Sequence, residues 1–596
     1  MKKIKFIAST VAGAFLAFGA ASCTDLDEKT FDRIDATIYY QNENSVKGAV
    51  ASIYSSACSG FLEYFWYLNE FPADQIAWRS WNGGAWGYDE AEKYVLSTHT
   101  WNAESKIIRS AWEHAWETIG LCNQLIADLQ SLNPASLGMT QDGLNSYIAE
   151  CRTMRAWAYY NNFELWGGAL PLNISVDGNI PGSADPDFAT SCNKIFDFIC
   201  AELDECVDDM AIETGSNATR NRLNQMTNRM IKMRLLLNSE IFTGTPRYTE
   251  CQQLCEELMK GTYGTYSLAS NYNDIFGINN DKCSEVVFAF AMEDGKMTNN
   301  NRNTPFLSYN YGDILGGNWS QGGWNCTIVA PSKDNSGTPL SSGGSDNPKS
   351  FIFDYGDQLG AVYDRMTDGD IRKGPFKSDN AGNYTGMFLM GAQKNLSTGA
   401  DVPADADRDG QALVYVDQVG TFLNLGRNLE TVMGPRWGET NSGYRVLKYP
   451  IYPEASGFDW RNIDEVEFRY SEVYYTLAEC YMRANNPDKA KELVNTVRSR
   501  YFTDKSKLDN PGPGFTAFNS DWLLSEWGLE FLNEGRRRRT DLRRFDKFTQ
   551  GTWWFFGRAT ETDRNLPAKR DRKYEWYPLP QSAIMVNPGL VQNPNY

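Results

Sequence analysis

The clearest alternation of apolar and polar positions lies near the end of the chain and predicts two antiparallel helices. The first apolar stripe consists of Val473, Leu477, Cys480, Tyr481 and Ala484, and the second of Ala490, Leu493, Val494 and Val497. Both stripes have the spacing of one helical face. Between them, Asn486 is a suitable N-cap, Pro487 suits a first helical turn and Asp488 complements the helix dipole. The pattern predicts a helix pair of the tetratricopeptide type.

Similar amphipathic stretches predict a largely helical frame. They span residues 45–57, 107–129, 144–165, 227–242 and 248–259. Between residues 281 and 462 the chain is instead rich in Gly, Asn, Asp and Ser, which indicates a long loop-rich insert with a few short strands. The predicted fold class is therefore mainly α. No linker divides the chain, so we expect one domain over residues 23–596, with an N-terminal helical part (24–280), the insert (281–462) and a C-terminal helical part (463–596).

The first residues predict an exported lipoprotein. Lysines within residues 2–5 precede an apolar stretch at residues 6–18 and small residues at 20–22, which is the layout of a signal peptide. The apolar stretch is shorter than the roughly 20 residues that span a bilayer. Cys23 follows directly, so we expect residues 1–22 to be removed and Cys23 to be lipidated. The acidic residues 24–28 resemble a surface-export signal, which predicts a lipid anchor on the outer-membrane surface.

Charge and cysteine content narrow the choice of partners. Lys and Arg number 57 and Asp and Glu number 75, and the resulting net charge of −18 disfavours nucleic acid and anionic lipid as partners. Membrane attachment is thus expected through lipid alone. Twelve cysteines without a CxxC pair, and only two histidines, favour neither a zinc site nor a full disulfide framework. Cys251 and Cys255 are interpreted as buried small apolar residues on one helix face.

Several blocks, in their order along the chain, resemble those of the SusD/RagB family of cell-surface glycan-binding lipoproteins. They are residues 147–160, 165–172, 469–479, 534–542, 577–580, 587–588 and 592–596. Two features depart from the family pattern: the arginine run 536–539 is one residue longer, and Trp527 stands where Arg often follows Glu. Residues 546–551, followed by Trp553, look like the starch-binding branch.

The resemblance carries expectations about fold and partners. It implies a SusD-like α fold with tetratricopeptide-type helix pairs and no catalytic activity. It also implies that the protein binds oligosaccharide, with a starch-like α-glucan as the first candidate. The implied partner is a SusC-like TonB-dependent outer-membrane transporter, to which the glycan is delivered for import.

Two aromatic segments have the composition of a glycan site, because sugar rings stack on aromatic rings and sugar hydroxyls bind planar polar groups. The first resembles the family's binding loop, and Trp81 is its expected stacking platform; the second lies in the insert, where family members complete an aromatic arc. The candidate glycan-binding residues are Arg79, Trp81, Asn82 and Trp86 in the first segment, and Tyr309, Tyr311, Trp319 and Trp324 in the second. For each ring, burial in the core is the alternative.

The remaining aromatic and histidine positions are interpreted as structural. Tryptophans with helical context are assigned to the core, and both histidines are expected to be satisfied by protein partners. These residues are Trp101, Trp112, Trp116, Trp157 and Trp166, with His99 and His114.

One acidic loop suggests calcium. Asp405, Asp407 and Asp409 occupy alternate positions before Gly410, as carboxylates do in calcium loops. Val416 stands at the twelfth position, where an EF-hand has Glu. A bound calcium ion and a solvated acidic loop are therefore both compatible with the pattern, and no other cofactor is expected.

Two alternatives to glycan binding stay open. A surface glycoside hydrolase needs two carboxylates about 5 to 9.5 Å apart, and the chain has 75 acidic residues to supply them. The second alternative is a tetratricopeptide scaffold that binds only protein. The basic run 536–539 is interpreted as a salt-bridged helix, because acidic residues precede it and Asp541 follows Arg537 by four. No GxSxG, Walker, HExxH or dinucleotide motif is present.

Overall fold

The protein consists of a helical frame with a strand-containing insert. The computed structural model describes residues 39–78, 92–215, 221–297, 303–307, 312, 314, 323–330, 353–354, 362–403, 412–417, 441, 443–535, 537–550, 552–554, 567–568 and 570–596. The helices are α1 (Glu43–Gly60), α2 (Trp66–Glu70), α3 (Tyr94–Thr98), α4 (Lys106–Ser131), α5 (Gln141–Trp166), α6 (Phe188–Cys206), α7 (Gln225–Leu237), α8 (Ser239–Thr243), α9 (Tyr248–Met259), α10 (Asn273–Phe276), α11 (Val362–Arg365), α12 (Ser471–Arg483), α13 (Pro487–Arg498), α14 (Ser520–Glu530), α15 (Arg538–Arg544) and α16 (Gln581–Val586).

The strands are short and belong mostly to the insert. They are β1 (Ile76–Trp78), β2 (Val286–Phe290), β3 (Thr327–Val329), β4 (Phe353–Asp354), β5 (Lys377–Ser378), β6 (Tyr384–Thr385), β7 (Phe388–Leu389), β8 (Gly391–Ala392), β9 (Val414–Tyr415), β10 (Arg445–Val446), β11 (Glu465–Arg469), β12 (Thr552–Trp554) and β13 (Pro567–Ala568). All pairings are antiparallel: β1–β3, β2–β11, β5–β6, β7–β10, β8–β9 and β4–β12–β13. Through β1–β3 and β2–β11 the insert is joined to the chain on both sides of it.

The predicted helical stretches are confirmed, with one difference. Residues 227–242 do not form one helix, because the chain bends at Asn238 between α7 and α8. The Asn238 side chain is held in the core: it donates to the Tyr160 hydroxyl at 3.1 Å and accepts from Arg544 at 2.8 Å. These side-chain bonds fix a non-helical residue within an apolar pattern that is otherwise continuous.

The C-terminal helix pair is also confirmed. Helices α12 and α13 pack against each other, and α12 packs against α9 as well. Asn486 caps α13 by accepting from the Lys489 backbone N–H at 3.3 Å, with Pro487 in the first turn. Asn485 has a φ of 58°, in the left-handed region that Asn tolerates and that the tight connection requires.

A large apolar core runs through the helical frame, and a second, smaller one lies in the insert. Four of the five tryptophans assigned to the core are buried, and Trp116 is half-buried against the same core. Cys251 and Cys255 are fully buried on α9, as predicted. The eleven described cysteines are all free thiols. Across the helices that the structure describes, none is both long and apolar enough to cross a bilayer.

Candidate functional site

Strands β1 and β3 bring the two predicted aromatic segments together. Trp78, the last residue of β1, is paired with Thr327, the first residue of β3. Trp78, at the start of the first segment, therefore lies in the core, and Trp324, at the end of the second, lies three residues before β3. The ring centroids of Trp78 and Trp324 are 6.4 Å apart. Two residues separated by more than two hundred positions, one from each segment, thus lie close together.

The two described ends of the second segment are joined by backbone hydrogen bonds. The Asn325 backbone N–H donates to the Leu307 carbonyl at 2.8 Å, and that of Trp324 donates to the Thr304 carbonyl at 2.8 Å. Leu307 and Trp324, on either side of the second segment, thus lie close together, and Ile314 between them in sequence is buried in the core of the insert. Asn325 is buried with a φ of 50°, a left-handed conformation that turns the chain into β3.

A third part of the insert closes at the same place. The Val416 backbone N–H donates to the Asn441 carbonyl at 3.0 Å, and the Val329 N–H donates to the Tyr444 carbonyl at 3.0 Å. The buried guanidinium of Arg445 donates to the Asn325 side chain at 3.2 Å. We call the residues Trp78, Leu307, Trp324, Asn325 and Asn441 the β1–β3 rim.

The rim rests on a rigid aromatic base. The Trp78 ring is fully buried, and its centroid lies 5.2 Å from that of Phe71 and 6.0 Å from that of Tyr67. The Lys93 ammonium lies 5.2 Å from the centroids of both Tyr67 and Trp78. Trp78 therefore belongs to the core, whereas Trp324 is half-buried and keeps part of its ring accessible at the surface. Such a base can hold binding loops in fixed relative positions.

Among the candidate glycan-binding residues, Trp324 is the one that the structure describes. The others lie outside the described residues: Arg79, Trp81, Asn82, Trp86, Tyr309, Tyr311 and Trp319. The same holds for the lipidation site Cys23, the signal peptide and the acidic loop with Asp405, Asp407 and Asp409. Among the described side chains, no group of three or more His, Cys, Asp or Glu is arranged to hold a metal ion.

Both histidines have structural partners, as expected. His99 is buried; its Nε2 lies 2.7 Å from the Pro72 carbonyl, and Arg570 donates to its Nδ1 at 2.7 Å. Burial, followed by the charge of Arg570, holds the pKa of His99 well below its usual value, so the ring is neutral and donates from Nε2. His114 stacks on Tyr64 with a centroid distance of 4.9 Å.

Sequence reasoning missed a buried ionic cluster beneath the C-terminal helices. Arg469 contacts Glu285 at 3.1 Å and Glu530 at 2.7 Å. We call the following seven residues, all at most 9% exposed in their side chains, the central ion cluster: Glu285, Arg372, Lys448, Arg469, Arg500, Glu530 and Glu534. One sequence feature could have pointed to this cluster: Arg469 and Glu534 are each the first residue of a block that resembles the family.

The arginines of the cluster lower the pKa of two of its carboxylates, Glu285 and Glu530. Burial alone would raise the pKa of Glu530, but Arg469, Arg500 and Arg372 outweigh burial and hold that pKa well below its usual range. Burial lowers the pKa of Lys448 to about 8, partly offset by Glu534. Carboxylates locked to arginines in this way cross-link the fold and are poor candidates for proton transfer.

The basic run is salt-bridged at two of its described arginines and not at the third. Arg537 contacts Glu472 at 2.8 Å, and Arg538 contacts Asp74 at 2.6 Å. Arg539, predicted to pair in the same way, instead donates to backbone carbonyls, including that of Glu164 at 3.3 Å. Position 536 lies outside the described residues.

The other departure from the family pattern is accommodated by the core. Trp527, which replaces an expected Arg, is fully buried and donates from its indole to Glu479 at 2.9 Å.

Together, the helical frame and the strand-containing insert joined to it by β1–β3 and β2–β11 define the class of fold. The model of the SusD family matches residues 284–596, and the chain belongs to that family. Proteins of this family are surface glycan-binding proteins and are not catalysts, so the chain is assigned to that class and not to the enzymes.

Curated relatives match along the whole chain. The starch-binding protein SusD of Bacteroides thetaiotaomicron is 23% identical, covering 100% of this chain and 99% of the relative. The SusD-like protein P25 of Formosa agariphila is 21% identical and covers 98% of each chain.

Solved structures show the same fold. A SusD-like protein from Bacteroides fragilis aligns with a TM-score of 0.61 at 18% identity, over 95% of this chain and 100% of that one. Surface glycan-binding protein A from Bacteroides fluxus aligns with a TM-score of 0.59 at 17% identity, over 93% and 100%. The SusD-like α fold expected from the sequence is therefore confirmed.

Proposed function

We propose that the protein is a lipid-anchored lipoprotein of the outer-membrane surface that captures oligosaccharide at the β1–β3 rim. The observation that supports this site is the convergence of the aromatic segments: one starts at Trp78, and the other ends at Trp324, 6.4 Å away between ring centroids. The proposed ligand-contacting residues are Arg79, Trp81, Asn82, Trp86, Tyr309, Tyr311, Trp319 and Trp324. Aromatic rings at one edge can stack on successive sugars of one chain.

A starch-like α-glucan is the proposed first ligand. Support comes from the full-length likeness to a starch-binding relative, although at 23% identity. The test is an affinity-gel screen of the protein starting at residue 24 against α-glucans and other plant and host polysaccharides. Retardation by α-glucan without release of reducing sugar is expected. Retardation by another glycan would change the ligand, and turnover would replace the proposal with a glycoside hydrolase.

The rim is tested by one pair of matched substitutions. Trp324 and Trp116 are both half-buried tryptophans packed on the same core, but Trp116 belongs to α4 and not to the rim. Trp324→Ala is expected to weaken glycan binding by roughly 5- to 150-fold, the range for loss of one stacking ring. Trp116→Ala is expected to leave affinity unchanged. Equal losses in the two variants would show a general effect of core damage and contradict a site at the rim.

Anchoring and delivery complete the proposal. Lipidation of Cys23 would hold the protein at the surface, and a SusC-like TonB-dependent transporter would receive the glycan. Cys23→Ala is expected to release the protein from the membrane fraction, and wild-type protein is expected to co-purify with the transporter from detergent extracts. Retention of the Cys23→Ala variant with bound lipid would contradict the anchor. Failure of the transporter to co-purify under any mild detergent would contradict the partnership.

We further propose that residues 23–596 form one integrated domain. The pairing of β1 with β3 joins the N-terminal part to the insert, and that of β2 with β11 joins the insert to the C-terminal part. A single unfolding transition is expected in urea. The acidic loop with Asp405, Asp407 and Asp409 is proposed as a calcium site on sequence grounds alone.

A further inference from the structure

A second cavity lies among the C-terminal helices and shares no residue with the β1–β3 rim. Its volume is about 610 Å³, and α8, α12, α14, α15 and the turn at residues 572–575 contribute to its walls. Its charged lining consists of Glu240, Glu479, Arg483, Arg543, Arg544, Asp546, Arg572 and Glu575. Among these described residues, Arg543 and the exposed Asp546 are the two that form no ion pair.

Arg543 is buried and forms no ion pair among the described residues, and Glu575 and Glu164 act on its charge only from beyond ion-pair distance. Only 7% of it is exposed, and its guanidinium lies 4.1 Å from the centroid of the Trp576 ring. Its Nη1 donates to the Glu164 carbonyl at 3.0 Å, whereas Nε and Nη2 donate to no acceptor in the described part of the chain. The neighbouring Arg544 differs: it contacts Glu479 at 2.6 Å and Asp541 at 2.8 Å.

Two acidic residues of the cavity, Glu479 and Glu575, already have protein partners. Glu479 is shared between Arg544 and Arg483, which contacts it at 2.9 Å. Glu575 accepts from the Thr549 hydroxyl at 2.8 Å and lies 3.7 Å from Arg572.

The electrostatic balance favours an incoming anion. Burying a guanidinium without an ion pair is costly. Burial, followed by the charge of Arg539, lowers the pKa of Arg543, and Glu575 and Glu164 offset this only in part. Arg539 adds a second buried positive charge that bonds only to backbone carbonyls among the described residues. A carboxylate in the cavity can accept from the Nη2 group of Arg543, since Nε is itself buried, and such a charge-assisted bond belongs to the strong class of hydrogen bonds in proteins.

The remaining lining limits what the anion can be. Asp546 is exposed and Glu240 lies at the cavity wall, so a ligand with several negative charges would be repelled. Carboxylates and the exposed guanidinium of Arg572 match the donors and acceptors of sugar hydroxyls. Ile241, Met482 and Phe545 add apolar surface for the C–H face of a ring.

From these contacts we propose that the cavity is a second sugar-binding site that takes a carboxylated sugar, such as a uronic acid, with Arg543 as the partner of the carboxylate. The choice of a sugar rests on the glycan-binding function proposed above. The site itself rests on the unpaired guanidinium and the cavity that it lines.

The test compares four probes by calorimetry or ligand-observed NMR on the full mature chain. Galacturonic acid carries both charge and hydroxyls, its methyl ester lacks the charge, acetate lacks the hydroxyls, and N-acetylalanine represents a peptide carboxylate. Galacturonic acid is expected to bind most tightly. Equal binding of the methyl ester or of acetate would overturn recognition of a carboxylated sugar. Tighter binding of N-acetylalanine would assign the cavity to a protein partner, and no measurable binding would overturn the site.

Two variants locate the binding. Arg543→Gln is expected to weaken the binding of galacturonic acid by roughly 10- to 150-fold, the range for loss of a hydrogen bond to a charged group. Loss of a buried arginine can unfold a protein, so Ser520→Trp serves as a second variant that blocks the cavity. Ser520 is exposed and lines the cavity, and it forms no hydrogen bond with Arg543. That ring is expected to fill the cavity and abolish binding. Unchanged binding in either folded variant would overturn the proposal.

A third variant separates this site from the rim. Trp324→Ala is expected to weaken the binding of neutral glycan and to leave the binding of galacturonic acid unchanged. If Trp324→Ala abolishes both, the acid binds at the rim, and the second site is overturned while the proposed function stands. If neutral glycan fails to bind even to the wild type, the proposed function fails while the cavity is still judged by the four probes.

Discussion

The central ion cluster and the β1–β3 rim use their side chains in opposite ways. In the cluster, charged groups are buried and paired with each other, as Arg469 is with Glu530 at 2.7 Å. At the rim, the side chains are mostly uncharged, and the half-buried Trp324 packs near the buried Trp78 at the end of β1. The residues that make the family recognisable thus hold the frame together, and the candidate ligand contacts lie elsewhere.

The largest expected effect comes from breaking the cluster. Glu530→Ala would leave Arg469, Arg500 and Arg372 without a shared buried partner, so the free energy of unfolding is expected to fall by about 3–5 kcal/mol. Urea unfolding measures this change. The control is Lys296→Ala, which removes an exposed pair with Glu293 and is expected to cost less than about 1 kcal/mol. Equal costs would mean that the buried cluster does not stabilise the frame.

A pH series tests a buried acid of the frame that forms no ion pair among the described residues. Glu164 is buried, and burial, opposed by a hydrogen bond from Tyr160, raises its pKa from 4.5 to about 7. A raised pKa in the folded state means that folding favours the protonated form, so its stabilising contribution is present at low pH and is lost as the pH rises from about 5 to 8.

Glu164→Gln is expected to remove the decrease in stability that the ionisation of Glu164 causes as the pH rises. The difference in unfolding free energy between variant and wild type should grow by roughly 1–3 kcal/mol over that window, since one pKa unit corresponds to about 1.4 kcal/mol. The opposing titration of His99 is common to both proteins and cancels in the difference. A difference that stays constant with pH would show that Glu164 is already ionised at low pH.

The smallest effect concerns the proposed calcium loop. Chelation is expected to lower the thermal midpoint of the wild type slightly, because removal of a ligand bound only by the folded state lowers stability. The variant with Asp405, Asp407 and Asp409 all replaced by Ala is expected to show no response. A wild type that ignores the chelator would leave the loop as a solvated acidic segment.

Most of the frame was predictable, because apolar periodicity is a local signal. The stripes of α12 and α13 and the cap at Asn486 appear in the sequence as they do in the structure. The break at Asn238 was not predictable, since it depends on Tyr160 and Arg544, which are distant in sequence. The central ion cluster was missed for the same reason: Glu285 and Arg469 meet only through the pairing of β2 with β11.

The candidate site was predictable in composition but not in assembly. Aromatic and planar polar residues marked both segments, yet only the pairing of Trp78 with Thr327 places their ends at one edge. The burial of Trp78 beside the partly exposed Trp324 likewise depends on tertiary packing. The missing ion pair of Arg543 had no sequence signal, because the adjacent Arg544 has the same residue type and is paired with Glu479 and Asp541.

The most direct test of the account is the glycan affinity of Trp81→Ala, measured by calorimetry together with the thermal midpoint without ligand. If Trp81 is a stacking platform carried by the rim, affinity is expected to fall by about 1–3 kcal/mol, or roughly 5- to 150-fold, while the midpoint hardly changes. A buried tryptophan replaced by Ala typically costs about 3–5 kcal/mol of stability instead. Intact affinity with a collapsed midpoint would place Trp81 in the core and contradict a glycan platform at this position.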